Sequence, residues 1–273
     1  MLKSLEVQRN LISLESQHAS SMFETVTQFF PRLIDGVKTF ANGIFDPTKP
    51  VTFQLVDSKV VERKLLATNY VQLSAITVFT PAGLSVSYLD YLESLGPAVD
   101  IVGKIQDEVL SPFTTWVSVL LTNPETLLSL KSSVNVPGVE WYNLEAVQKS
   151  FAKCFNKDSK TEMTYGKAFK RNLDYGTAMA KVNDLAAKMA RVDRTQLIKS
   201  MEELVTLLEK LIDNTRKEPE RYRISGPTMN ALSELVYRVA LHLEFYSMVA
   251  FNVQSIATAA ADTNDKVAKI LAG

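Results

Sequence analysis

From Leu232 to Leu271 apolar side chains recur in steps of three and four: Leu232, Leu235, Val239, Leu243, Tyr246, Ala250, Val253, Ala257, Ala260, Val267 and Leu271. Among regular structures an α-helix brings residues at this spacing onto one side. Asn264 takes the stripe position between Ala260 and Val267. The successive steps of four around Leu243 form a stutter, which relaxes supercoiling locally. Upstream, Ser225-Gly226-Pro227 places a small polar cap before a proline whose missing N–H costs nothing in a first turn. The spacing predicts a helix of about 45 residues, on the order of 65 Å long, which suits a rod or the spine of a bundle. Around Met248–Ala261 apolar residues fall on most faces, so this part should be surrounded by other helices or by neighbouring subunits.

A second stripe runs through Val7, Leu11, Leu14, His18, Met22, Val26, Phe29, Leu33, Val37, Phe40 and Ile44, with Pro31 expected to divide it into helices near 2–30 and 32–45. Tyr175, Ala178, Val182, Leu185, Met189 and Val192 form a third stripe. Leu197, Met201, Leu204, Leu208 and Leu211 form a fourth, which Asp193 and Gln196 open as a capping box. Asn143–Phe155 should be helical, as should 96–121, bent near Pro112. Strand alternation is confined to Val51, Phe53 and Leu55 and to Val71, Leu73 and Ala75. The predicted fold is therefore mainly α: an elongated helical bundle with long N- and C-terminal helices and a minor β element near 51–56 and 71–79. Composition shifts divide the chain into 1–140, a helical region with the small β element; 141–223, a basic helical region; and 224–273, the long helix packing on the N-terminal one. All three could form one domain.

The formal charge is zero overall and −4, +5 and −1 over these three regions. So mild a balance gives no global attraction to nucleic acid or anionic lipid. The single cysteine, Cys154, excludes an internal disulfide framework and reads as a small core residue beside Phe151 and Phe155. The N-terminus lacks a continuous apolar core and cleavage site of the signal-peptide kind, so a cytoplasmic location is expected, or a virion if the chain is viral.

Catalytic groupings are sparse. Glu15 and His18 form a Glu-x-x-His pair of the kind that supplies di-metal bundles, but His242 has valine, not glutamate, three residues before it. His18 also lies on the apolar stripe, so no metal site and no cofactor are expected. No phosphate loop, dinucleotide loop or paired Cys-x-x-Cys is found, and the chain is read as not an enzyme. Lys149, Lys153, Lys157, Lys160, Lys167, Lys170 and Arg171 form a local basic patch interleaved with aromatics. The first three recur every four residues, so the patch reads first as the solvated face of a helix, then as a contact for an acidic protein surface, and last as a nucleic-acid site.

The run "YVQLSAITVFTPAGLSVSYL", Tyr70–Leu89, carries no charge. Its scattered hydroxyls and amide and its central Pro81 and Gly83 argue against a membrane span. A strand, a turn at "TPAG" and a helix capped by Ser87 fit better. Missing charges here and in the C-terminal run mark candidate interface residues: Tyr70, Leu73, Ile76, Phe79, Leu84, Val249, Phe251, Val253 and Ile256.

The terminal runs "LKSLEVQRNLISLESQHASSMFETVTQFF" and "LVYRVALHLEFYSMVAFNVQSIATAAADTNDKVAKIL" resemble helical structural proteins of bacteriophage virions. The resemblance concerns the two ends of the chain, and implies a virion structural or internal component. Taken together, these features point to a non-catalytic assembly protein that forms a homo-oligomer or docks on other structural proteins. The alternative is a membrane-active helical protein, a pore former or a translocated virion protein, suggested by the uncharged segments 65–89, 109–124 and 245–261.

Overall fold

The computed structural model describes residues 55–57, 73–81, 87–125, 160–224 and 226–272. They are mainly helical with a small antiparallel sheet. In chain order they form β1 (Thr77–Pro81), α1 (Tyr88–Lys104), a π-helical turn (Ile105–Leu110), α2 (Ser111–Thr122), β2 (Lys160–Thr164), α3 (Tyr165–Ala168), α4 (Asn172–Ala190), α5 (Arg194–Lys217) and α6 (Gly226–Ala272). The N-terminal stripe, the expected helix 143–155 and Cys154 lie outside the described residues.

The chain divides into two compact units, each assembled from separated stretches. The described parts of the first fall within Lys104–Tyr142 and Asp193–Phe245. Here α5 packs along α2 and the π-helical turn. The stripe Leu197, Met201, Leu204, Leu208 and Leu211 is buried, together with Phe113, Val117 and Leu120 of α2. Asp193 caps α5, its Oδ1 accepting from the Gln196 N–H at 2.9 Å. The second half of the expected box is replaced: the Gln196 amide donates to Ser200 Oγ at 3.2 Å instead. The expected bend near Pro112 takes the form of π-helical winding just before it. The Ser111 N–H donates back to the Gln106 carbonyl, and Pro112 enters α2 in its first turn. Widening the turn suits a residue that has no N–H and crowds the carbonyl four residues earlier. After α5, Tyr222 and Ile224 are buried, and the Tyr222 hydroxyl donates to the Leu121 carbonyl at 3.3 Å. The segment that follows α5 is thus anchored.

The described parts of the second unit fall within Lys49–Gly103, Asn143–Val192 and Tyr246–Gly273. In β1, Thr77 faces Thr164 of β2 and Pro81 faces Lys160. Pro81, which cannot donate to a ladder, closes the strand. The strand expected from the alternation of Val71, Leu73 and Ala75 begins later than read. Leu73–Ile76 is a turn in which the Ile76 N–H donates to the Leu73 carbonyl at 3.0 Å, and pairing starts at Thr77. Gly166 continues the contact past β2, its N–H donating to the Ser74 carbonyl at 3.1 Å. A Cβ there would lie 3.3 Å from that of Ser74, so the close approach favours glycine.

The other expected strand, 51–56, is also corrected where it can be seen. Leu55 and Val56 are not in a strand, and 51–54 lie outside the described residues. Val56 finds a side chain in place of a ladder: its N–H donates to Asn183 Oδ1 at 2.9 Å, and its carbonyl accepts from Asn183 Nδ2 at 3.3 Å. Both of its backbone groups are satisfied without a neighbouring strand. Ser87 caps α1 as expected, its Oγ accepting from the Asp90 N–H at 3.2 Å.

The 47 residues of α6 match the expected long helix. Every stripe position from Leu232 to Val267, Asn264 included, is buried, and Leu271 is half-buried. Gly226–Phe245 belongs to the first unit and Tyr246–Ala272 to the second.

Candidate functional site

Two polar groupings stand out, one buried and one half-buried, because most of the core is hydrocarbon. In the second unit, α1, α3, α4 and the loop before α4 bring four rings together. Phe169 lies 5.7 Å from Tyr88, 5.0 Å from Tyr165 and 5.4 Å from Tyr175, centroid to centroid, and Tyr165 lies 5.5 Å from Tyr175. These are contact distances, so the rings form a packed cluster. Three hydroxyls have asparagine acceptors: Tyr165 donates to Asn172 at 3.0 Å, Tyr175 to Asn264 at 2.9 Å and Tyr91 to Asn252 at 3.2 Å. Tyr88 is different. Its hydroxyl is buried and, among the described residues, has no partner. Burial pushes the Tyr88 phenol well above its ordinary pKa, and burial likewise raises Tyr175, helped by Tyr165, Tyr88 and Asp265. Both phenols stay neutral at physiological pH, and that of Tyr175 serves as a hydrogen-bond donor.

In the first unit the π-helical turn aims Gln106 at α5. Gln106 Nε2 donates to Ser200 Oγ at 2.8 Å and lies 3.1 Å from Ser111 Oγ, while Gln196 reaches the same Ser200. Gln106 Oε1 is buried and has no partner among the described residues. Amides and hydroxyls of this kind orient helices and bind neutral groups, and none of them titrates near neutral pH. Chain separation hid this grouping from the sequence: Gln106 and Ser200 meet only through the packing of the π-helical turn on α5.

His242 is 2% exposed within α6. The Arg238 carbonyl, 2.7 Å from Nδ1, can only accept, so Nδ1 carries the proton. Burial, with a smaller contribution from the Arg238 charge, holds the imidazole pKa below its ordinary 6.5, against the opposing effect of the carbonyl. Above that value the ring is neutral whether the chain is folded or not. As pH falls, the unfolded chain takes up a proton first, so stability declines from about pH 6.5 down to the folded pKa, by at most about 1.4 kcal/mol per pH unit. His242→Phe should therefore lose less stability than the parent between pH 7.5 and pH 5, as read by urea midpoints. Equal losses would show that His242 does not carry this dependence.

Of the residues singled out from sequence, Leu73, Val249, Val253 and Ile256 are buried within the chain, and Ile76 is half-buried. The fold itself covers their apolar surface. Phe251 is 49% exposed. Tyr70 and Leu84 lie outside the described residues, as does the Phe79 side chain, although its backbone is in β1. Of the basic patch, Lys167 and Lys170 are exposed. Arg171 is paired with Asp174 at 2.8 Å, a bond that holds the Asp174 carboxyl below its ordinary range. Lys160 stands in β2 with its side chain outside the description, and Lys149, Lys153 and Lys157 lie outside altogether, as do Glu15 and His18.

Among the described residues no three His, Cys, Asp or Glu side chains gather as metal ligands, and no helix is long and apolar enough to cross a membrane. Comparison with protein-family models, curated proteins and solved structures gives no match.

Proposed function

We propose that the chain is a non-catalytic structural protein that self-associates or docks into a larger assembly. Support comes from the outward side of α6. Phe251 stands 49% exposed in the middle of Phe245–Ala261, which holds no charged residue. Met248, Gln254, Ser255 and Thr258 are half-buried in the same run and equally uncharged. A helix side meant for water normally carries charge, and an uncharged one with an aromatic at its middle suits a protein neighbour. A bacteriophage virion is the setting suggested by the resemblance of the two terminal runs.

Sedimentation velocity across a wide concentration range tests this reading. The parent chain should associate, and Phe251→Glu should weaken association by about tenfold or more, a loss of roughly 1.4 kcal/mol. A compact monomer at every concentration, alone and with candidate assembly partners, would sink the proposal. Co-sedimentation with liposomes in place of protein association would support the membrane-active alternative.

A further inference from the structure

The Ala-rich part of α6 has a repetitive core side. Tyr246, Val253, Ala260 and Val267 are spaced by seven, as are Leu243, Ala250, Ala257, Asn264 and Leu271. A slide of one heptad therefore lays apolar residue on apolar residue at nearly every position, and alanines offer little relief to oppose it. Asn264 is the exception in the repeat. Asn252, 8% exposed and next to Val253 of the repeat, is a second buried amide.

We infer that the Tyr91–Asn252 and Tyr175–Asn264 hydrogen bonds set the register of α6 in the second unit. The donors come from different helices, α1 and α4. Their acceptors lie 12 residues apart on α6, about 18 Å along the axis and about 120° around it. Two grips so placed resist both sliding and rotation. Other registers fail at one or both. A slide of one heptad presents Ala259 and Leu271, or Phe245 and Ala257, to the two hydroxyls. Slides of three or four residues present Ser255 and Val267, Ile256 and Ala268, Val249 and Ala261, or Met248 and Ala260. Each leaves at least one buried phenol and its former amide without their bond, whereas the observed register satisfies both. Buried polar groups used in this way choose among packings more than they add stability.

The test replaces Tyr91→Phe, Tyr175→Phe, Asn252→Leu and Asn264→Leu together, in a Cys154→Ser background. Spin labels at Glu93 and Asp262, both exposed, report the position of α6 by pulsed dipolar spectroscopy in dilute solution. The parent should give one distance. The four-fold variant should stay helical and show a second component, displaced by up to about 10 Å for a heptad slide. A single, unshifted distance in the folded variant overturns the inference. Loss of the helical fold would overturn it too, because the four groups would then supply stability and not the choice of register. Neither result depends on whether the chain self-associates.

Discussion

Phe169→Ala is expected to lower the unfolding free energy by about 3–5 kcal/mol, a large share of what holds a domain together. Phe169 is 2% exposed and touches three of the other rings at once, Tyr88, Tyr165 and Tyr175. Truncation removes the transfer free energy of a buried aromatic and leaves a cavity that Tyr165 and Tyr175 cannot readily close, because their hydroxyls hold them. Tyr165 is tied to Asn172 and Tyr175 to Asn264. Phe169→Leu keeps most of the volume and should lose clearly less. Urea unfolding followed by circular dichroism and by fluorescence provides the measurement, with coincident transitions as the check on two-state behaviour. A loss below about 1 kcal/mol would mean that Phe169 packs far more loosely than a buried core aromatic should.

Removing one oxygen from each of two neighbouring tyrosines should move stability in opposite directions. Tyr175→Phe strips Asn264 of its donor and leaves a buried amide oxygen unsatisfied, for a loss of about 1–3 kcal/mol. Tyr88→Phe removes a hydroxyl that is buried and has no partner among the described residues, so the chain should gain up to about 1 kcal/mol. Both tyrosines lie in the same aromatic cluster, so a general sensitivity of the region would give both changes one sign. Only the hydrogen-bond difference separates them. Denaturation midpoints for the two variants decide the matter, and a destabilised Tyr88→Phe would show that its hydroxyl has a partner in solution.

Much of the helical framework was legible from periodicity. Tyr175, Ala178, Val182, Leu185 and Met189 are buried on α4, the Leu197–Leu211 stripe is buried on α5, and α6 runs close to its expected length. Strands were harder to read. Leu73 and Ala75, read as part of an alternating strand, lie in a turn, and β2 arises within a lysine-rich stretch read as a solvated helix face. A strand needs a partner to close its hydrogen bonds, and neither half of the pair names the other across the intervening chain.

The same division holds for the buried polar groups. Asn264 was visible as the odd residue in an apolar stripe, but the tyrosine it would accept from was not. Gln106 and Ser200 carried no signal at all.

The sequence by itself determined the long helices α4, α5 and α6 and which side of each is apolar, because those properties depend on spacing within a few turns. It left open what would cover each apolar side. Only the tertiary structure decided that Val249, Val253 and Ile256 are covered within the chain while Phe251 is left half exposed. Likewise it alone decided that two separated tyrosines would hold α6 in place. Such choices depend on which distant segments meet, and hydrophobic burial, being non-directional, does not encode that in any local pattern.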